Sequence, residues 1–104
     1  MARLTVIYWR DIPAQVIGQQ GRRRHRQEMP VRFATAIDRA AMRAGRGSSS
    51  AYLDDWRRET RPCAGDIAEA VRAEARRLEA LFPEQSLEAV VKAGGRARTQ
   101  EDSP

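Results

Sequence analysis

Five adjacent positions, Arg22, Arg23, Arg24, His25 and Arg26, place four guanidinium groups and one imidazole within one short segment. Cations this close repel one another, and an anion set among them relieves the repulsion. Guanidinium forks match carboxylate and phosphate geometry, so the chemistry on offer is recognition of an anionic partner. The basic character continues in Arg32, Arg39, Arg43 and Arg46, whose spacings of 7, 4 and 3 hold them on roughly one helical face, away from Phe33 and Ile37. A basic loop feeding a basic helix face suits an acidic protein surface, or the backbone of RNA or DNA. It equally suits a solvated face paired with Glu28, Asp38 and the acidic second half of the chain. No base-reading motif is present, and the aromatic residues are not interleaved with the cluster.

Groups for bond-making chemistry are sparse. Cys63 follows Arg57, Arg58 and Arg61 and precedes an expected helix N-terminus, a setting that favours a thiolate. A cysteine nucleophile also needs a base and an orienting group, and the sole histidine, His25, lies among cations with no carboxylate beside it. One cysteine and one histidine fall short of a zinc ligand set. Asp54 and Asp55 are adjacent, so they diverge on a strand or a helix instead of converging as an acid–base pair. Gly94-Gly95 reads as a helix stop. No catalytic, cofactor-binding or metal-binding residue is assigned, and a non-enzymatic role is expected.

These side chains need a scaffold, and the hydrophobic pattern supplies one. Leu4–Trp9 is a β-branched and aromatic run, with Leu4, Val6 and Tyr8 on one face and Ile7 and Trp9 on the other, suited to a strand covered on both sides or wet at Thr5. Arg10-Asp11-Ile12-Pro13 makes a turn, and Ala14–Gln20 resumes as an antiparallel partner. Gly21–Gln27 reads as a polar connection. Pro30 opens a helix with Phe33, Ile37, Ala40, Ala41 and Ala44 on one face, ended by Gly45 or Gly47. Residues 51–60 fit either a short helix or a strand, with a short helix leading into an extended RRETRPC preferred. Asp66 and Glu69 form a capping pair for a helix whose stripe is Ile67, Val71, Ala75, Leu78, Leu81 and Phe82. A last short helix carries Leu87, Val90 and Val91.

The expected fold is therefore α+β: an N-terminal antiparallel β-hairpin packed with an amphipathic helix and two C-terminal helices, with room for one further short strand. Its 104 residues suffice for one core without a disulfide or metal. Residues 1–95 make a single domain, and 96–104 are expected to be a disordered tail. Net charge is uneven. Residues 1–62 hold 13 arginines against 6 acids, a net of +7, while 63–104 hold 6 bases against 8 acids, a net of −2. Lys92 is the only lysine, an arginine bias that also fits a GC-rich genome. One cysteine, too short an apolar run near Met1 for a signal peptide, and no stretch approaching about 18 apolar residues make the cytoplasm the expected compartment, with no membrane contact.

The order YWRDIPAQV, GRRR, RFATAIDRAAMRAG, AYLDDWRR, RPC resembles a small bacterial "virulence factor" domain family, over about residues 3–95. The resemblance implies no catalytic residue. It is loosely associated with one-carbon and corrinoid methyl-transfer gene neighbourhoods, which implies an accessory role there. The expected partner is an acidic protein, met by Arg22, Arg23, Arg24 and Arg26 and by the Arg32, Arg39 and Arg43 face. Trp9, Arg10, Tyr52 and Trp56, the last flanked by Arg57 and Arg58, are candidate anchors, because aromatics and arginine dominate interface energetics. Low-specificity nucleic-acid binding is the alternative. A third reading is a thiol-dependent activity at Cys63. An exposed edge strand would also support a homodimer.

Overall fold

The computed structural model describes residues 1–97. Its elements are β1 (Ala2–Trp9), β2 (Ile12–Gln20), β3 (Arg23–Glu28), α1 (Val31–Arg43), α2 (Ser49–Asp54), β4 (Trp56–Cys63), α3 (Ile67–Leu81) and α4 (Glu84–Lys92). The four strands form one antiparallel sheet in the order β3-β2-β1-β4, so the fold is α+β.

The hairpin, the amphipathic helix and the two C-terminal helices all form, and the sheet gains two strands rather than one. The expected polar connection at Gly21–Gln27 is mostly strand: Gly21 and Arg22 make a two-residue turn, and Arg23–Glu28 pairs with β2. Gly21, with φ 60°, suits the first central position of a type II′ turn, whose twist matches a hairpin. No apolar alternation announced β3, because most of its side chains remain in water on both faces. Both alternatives for residues 51–60 occur, α2 first and then β4. Of the expected tail, residues 98–104 lie outside the described residues. The Ala97 amide donates to Asp11 Oδ2 at 2.8 Å.

Simple alternation builds the core up to Ile7. Leu4, Val6 and Val16 point to one face and pack with Phe33, Ala36, Ile37, Ala40 and Ala41 of α1, Val71, Ala75 and Leu78 of α3, and Leu87, Val90 and Val91 of α4. A bulge between Ile7 and Tyr8 leaves Ala14 as an extra residue in β2, and beyond it Trp9 and Ile12 join the same core. Asp66 caps α3 by accepting from the Glu69 amide at 3.3 Å. Leu81 departs from the expected stripe and is 54% exposed, while Phe82 packs edge-on against Phe33.

Gly18 sets how closely α3 approaches the sheet. A Cβ there would sit 2.9 Å from Val71 Cγ2 and 3.2 Å from Ile67 Cβ. Both neighbours are buried and helical, so neither swings away cheaply. Gly18→Ala is expected to destabilise the fold by about 1–3 kcal/mol through overpacking, measured by urea unfolding. An unchanged midpoint would show that α3 rides further from β2.

Candidate binding surface

The second face of the sheet is built from three rows, read across β3, β2, β1 and β4. They are Glu28–Gln15–Ile7–Arg58, then Arg26–Ile17–Thr5–Thr60, then Arg24–Gln19–Arg3–Pro62. None of these twelve residues belongs to the hydrophobic core, and eight of them are exposed. Thr5 and Thr60 share a hydroxyl hydrogen bond of 3.0 Å across the centre. Ile7 is half-buried, and Ile17 is buried without joining the core. Four arginines surround this small apolar centre, with Glu28 the only acid among the twelve. Among the described residues, no carboxylate lies within salt-bridge distance of Arg3, Arg24, Arg26 or Arg58.

The strand divides the expected cluster. Arg24 and Arg26 belong to this open face, Arg23 and His25 point to the other, and Arg22 stands at the turn. The α1 arginines do not continue the surface. Arg32 Nη2 donates to the Glu79 and Phe82 carbonyls, at 3.4 and 3.2 Å, where α3 ends. Arg39 forks onto Glu88 with two bonds of 2.8 Å, and Arg43 Nε donates to the Lys92 carbonyl at 3.2 Å. These three join helices, a use that the sequence reading allowed as ordinary pairing. A groove of about 500 Å3 between α1 and α4 is lined by Arg32, Arg39, Glu84 and Glu88, and is therefore of mixed charge.

The four candidate anchors form a structural unit. Trp9 is fully buried, which corrects its assignment to a contact surface. Its Nε1 donates to the Tyr52 carbonyl at 2.9 Å and its ring stacks on Tyr52, which in turn meets Trp56 edge-on. Arg10 is held by Asp55 at 3.2 Å and by the Gly94 carbonyl at 3.0 Å. Its Nε lies off the line of a hydrogen bond to Asp55, so that contact is chiefly Coulombic. Burial pushes the Asp55 carboxyl up, but hydrogen bonding from Arg46 and the nearby Arg10 charge prevail and hold it below its ordinary value. Asp54 is exposed, so the adjacent acids do diverge.

Cys63 and His25 occupy opposite edge strands. With neighbouring strands about 4.8 Å apart, β4 and β3 are roughly 14 Å from each other, too far for a nucleophile–base pair. Among the described residues, no group of three or more His, Cys, Asp or Glu side chains converges as a metal site, and no helix is long and apolar enough to cross a membrane.

Sequence reasoning overlooked Arg3, named Arg58 only as a neighbour of Trp56 and Cys63, and overlooked Glu74. The parity of β1 and β4 carries the signal for the first two. Glu74 lies seven residues after Ile67, within the apolar stripe of α3, and is 3% exposed. Arg61 Nη2 donates to its Oε1 at 2.9 Å, and Arg77 forks onto both oxygens at 3.0 and 2.6 Å. The pair fastens β4 to α3.

A small α+β domain with one core-facing and one open sheet face is the class that this fold and surface define. Residues 7–91 match the family model described as Virulence factor, and the chain belongs to that family. No curated protein and no solved structure matches it.

Burial raises the Glu74 pKa, but the hydrogen bonds from Arg77 and Arg61, with their charges, outweigh burial and leave it below the ordinary 4.5. A depressed carboxyl stabilises the fold above its unfolded pKa, and the gain fades as pH falls through the folded value. Glu74→Gln is therefore expected to cost about 1–2 kcal/mol at pH 7, the low end for a buried acid because both arginines are half exposed and screened. Urea unfolding across pH should show the deficit shrinking as pH drops through and below 4.5. A deficit independent of pH would mean that the carboxylate charge is not what matters.

Proposed function

We infer that this domain is a non-enzymatic interaction module whose open sheet face receives an acidic protein surface. One observation carries the reading: Arg3, Arg24, Arg26 and Arg58 stand unpaired among the described residues around Ile7, Ile17 and the Thr5–Thr60 pair. Arginines elsewhere are largely matched with acids or carbonyls. An apolar centre with a charged rim has the anatomy of a protein interface, and carboxylates on the partner would satisfy the rim. The same guanidinium groups would also hold phosphates, but the twelve residues include no aromatic for base stacking, which favours the protein partner over single-stranded nucleic acid.

The test is a pull-down with the tagged protein from its native host, with and without nuclease, at low and moderate salt. The expected partner survives nuclease, falls at least tenfold with the double reversal Arg24→Glu/Arg58→Glu, and is retained by Arg76→Glu on the exposed side of α3. Neither reversed position has an ion-pair partner among the described residues, so unfolding free energies should stay within about 0.5 kcal/mol of the parent. Retention that the double reversal leaves unchanged would overturn the assignment of this face. Retention that collapses after nuclease would return the nucleic-acid alternative. The recovered partner also reads whether the setting is one-carbon or corrinoid methyl transfer, as the family resemblance implies.

A further inference from the structure

The sheet has two edges, and they differ in what they could accept. At the β3 edge, the two-residue turn brings Gln20 and Arg23 together as the outer residues of a β-turn, the positions joined by its hydrogen bond. At the other end of the strand, the Met29 amide donates to the Ala14 carbonyl at 3.0 Å. Both ends fix the same parity: odd-numbered residues direct their backbone groups to β2. The amides and carbonyls of Arg24, Arg26 and Glu28 therefore face outward along the free edge. None of the six residues of β3 is proline, so every outward donor is present.

Charge selects what could pair there. Arg23 stands on one face of β3 and Arg24 and Arg26 on the other, with Arg22 at the turn, and no acid lies within salt-bridge distance of any of the four among the described residues. A second copy of β3 would set arginine against arginine, which repels. The β4 edge is less suited. Pro62 lacks an amide donor, Arg57 is engaged with Glu59 and with Asp11 at 3.1 Å, and Arg61 is held by Glu74 at 2.9 Å.

We propose that the free edge of β3 accepts an extended acidic segment of a partner protein as a fifth, antiparallel strand, with carboxylates on the face that carries Arg24 and Arg26. The proposal rests on the reading of the open face as an acidic-protein site and names how the partner enters it. Backbone bonds to residues 24–28 supply register, and the alternating arginines supply the preference for acid.

The probe is a blocked ten-residue peptide of alternating glutamate and valine. It is compared with a peptide N-methylated at alternate residues in each of the two possible parities, and with an alternating lysine–valine peptide. The unmethylated acidic peptide is expected to bind and to protect the Arg24, Arg26 and Glu28 amides from hydrogen exchange. Methylation in one parity should weaken binding at least tenfold, and methylation in the other should be tolerated. The lysine peptide should not bind. Equal binding of all the acidic peptides, without protection of those amides, would overturn strand addition while leaving the acidic-partner reading intact. No binding by the acidic peptide would overturn strand addition too, and the pull-down with Arg24→Glu/Arg58→Glu then decides the broader reading by itself.

Discussion

Three residues at the tip of the first hairpin, Trp9, Arg10 and Asp11, tie together segments that are distant in sequence. Trp9 holds α2 through the Tyr52 carbonyl and ring. Arg10 adopts φ 53°, a left-handed conformation that costs a non-glycine residue about 1 kcal/mol or more. That cost is offset by what the conformation makes available. The Arg10 amide donates to the Asp55 carbonyl, its side chain reaches Asp55 and the Gly94 carbonyl, and its own carbonyl accepts from Arg57 Nε at 2.7 Å. Asp11 accepts from Arg57 and from the Ala97 amide, while its own amide donates to the Gly95 carbonyl. The start of β4 and the end of α4 are thereby fixed to the tip of β1 and β2.

The open face depends on that knot. With Arg57 held to Arg10 and Asp11, β4 pairs with β1 so that Ile7 meets Arg58 and Thr5 meets Thr60. A slip of one residue would exchange the two faces of β4, sending Arg58 inward and Arg57 outward. The arginines thus divide by parity and neighbourhood. Those at 10, 39, 46, 57 and 61 are matched with acids on other segments and hold elements together, while Arg77 backs Glu74 within α3. Those at 3, 24, 26 and 58 stand unmatched among the described residues on one face of the sheet, where a positive field draws in anionic surfaces.

Much of this organisation is legible in the sequence where one physical signal dominates. The apolar stripe from Phe33 to Ala41, the Asp66 cap and the glycine stop after α4 each have one local cause, and each appears in the fold. The site is less legible because charge carries no periodicity of its own. Arg22–Arg26 reads as a loop, since an edge strand wet on both faces lacks the alternation that marks a half-buried one. Arg32, Arg39 and Arg43 read as a surface, and Glu88 and the carbonyls that engage them are far away in sequence. Trp9 and Arg10 offer the residue types of an interface anchor, and only the tertiary packing of Tyr52, Asp55 and Gly95 shows that they serve the interior. The face that remains requires the pairing of four strands, a register that no single segment encodes.

The division of labour among the arginines is the centre of this account, and arginine side-chain NMR of the free protein tests it most directly. The Nε–H groups of Arg46 and Arg57, which donate to Asp55 and to the Arg10 carbonyl, should exchange slowly with solvent and show shifted resonances. Those of Arg3, Arg24, Arg26 and Arg58 should exchange rapidly near the position of free arginine. Slow exchange at Arg24 and Arg58, or averaged signals at Arg46 and Arg57, would contradict the account.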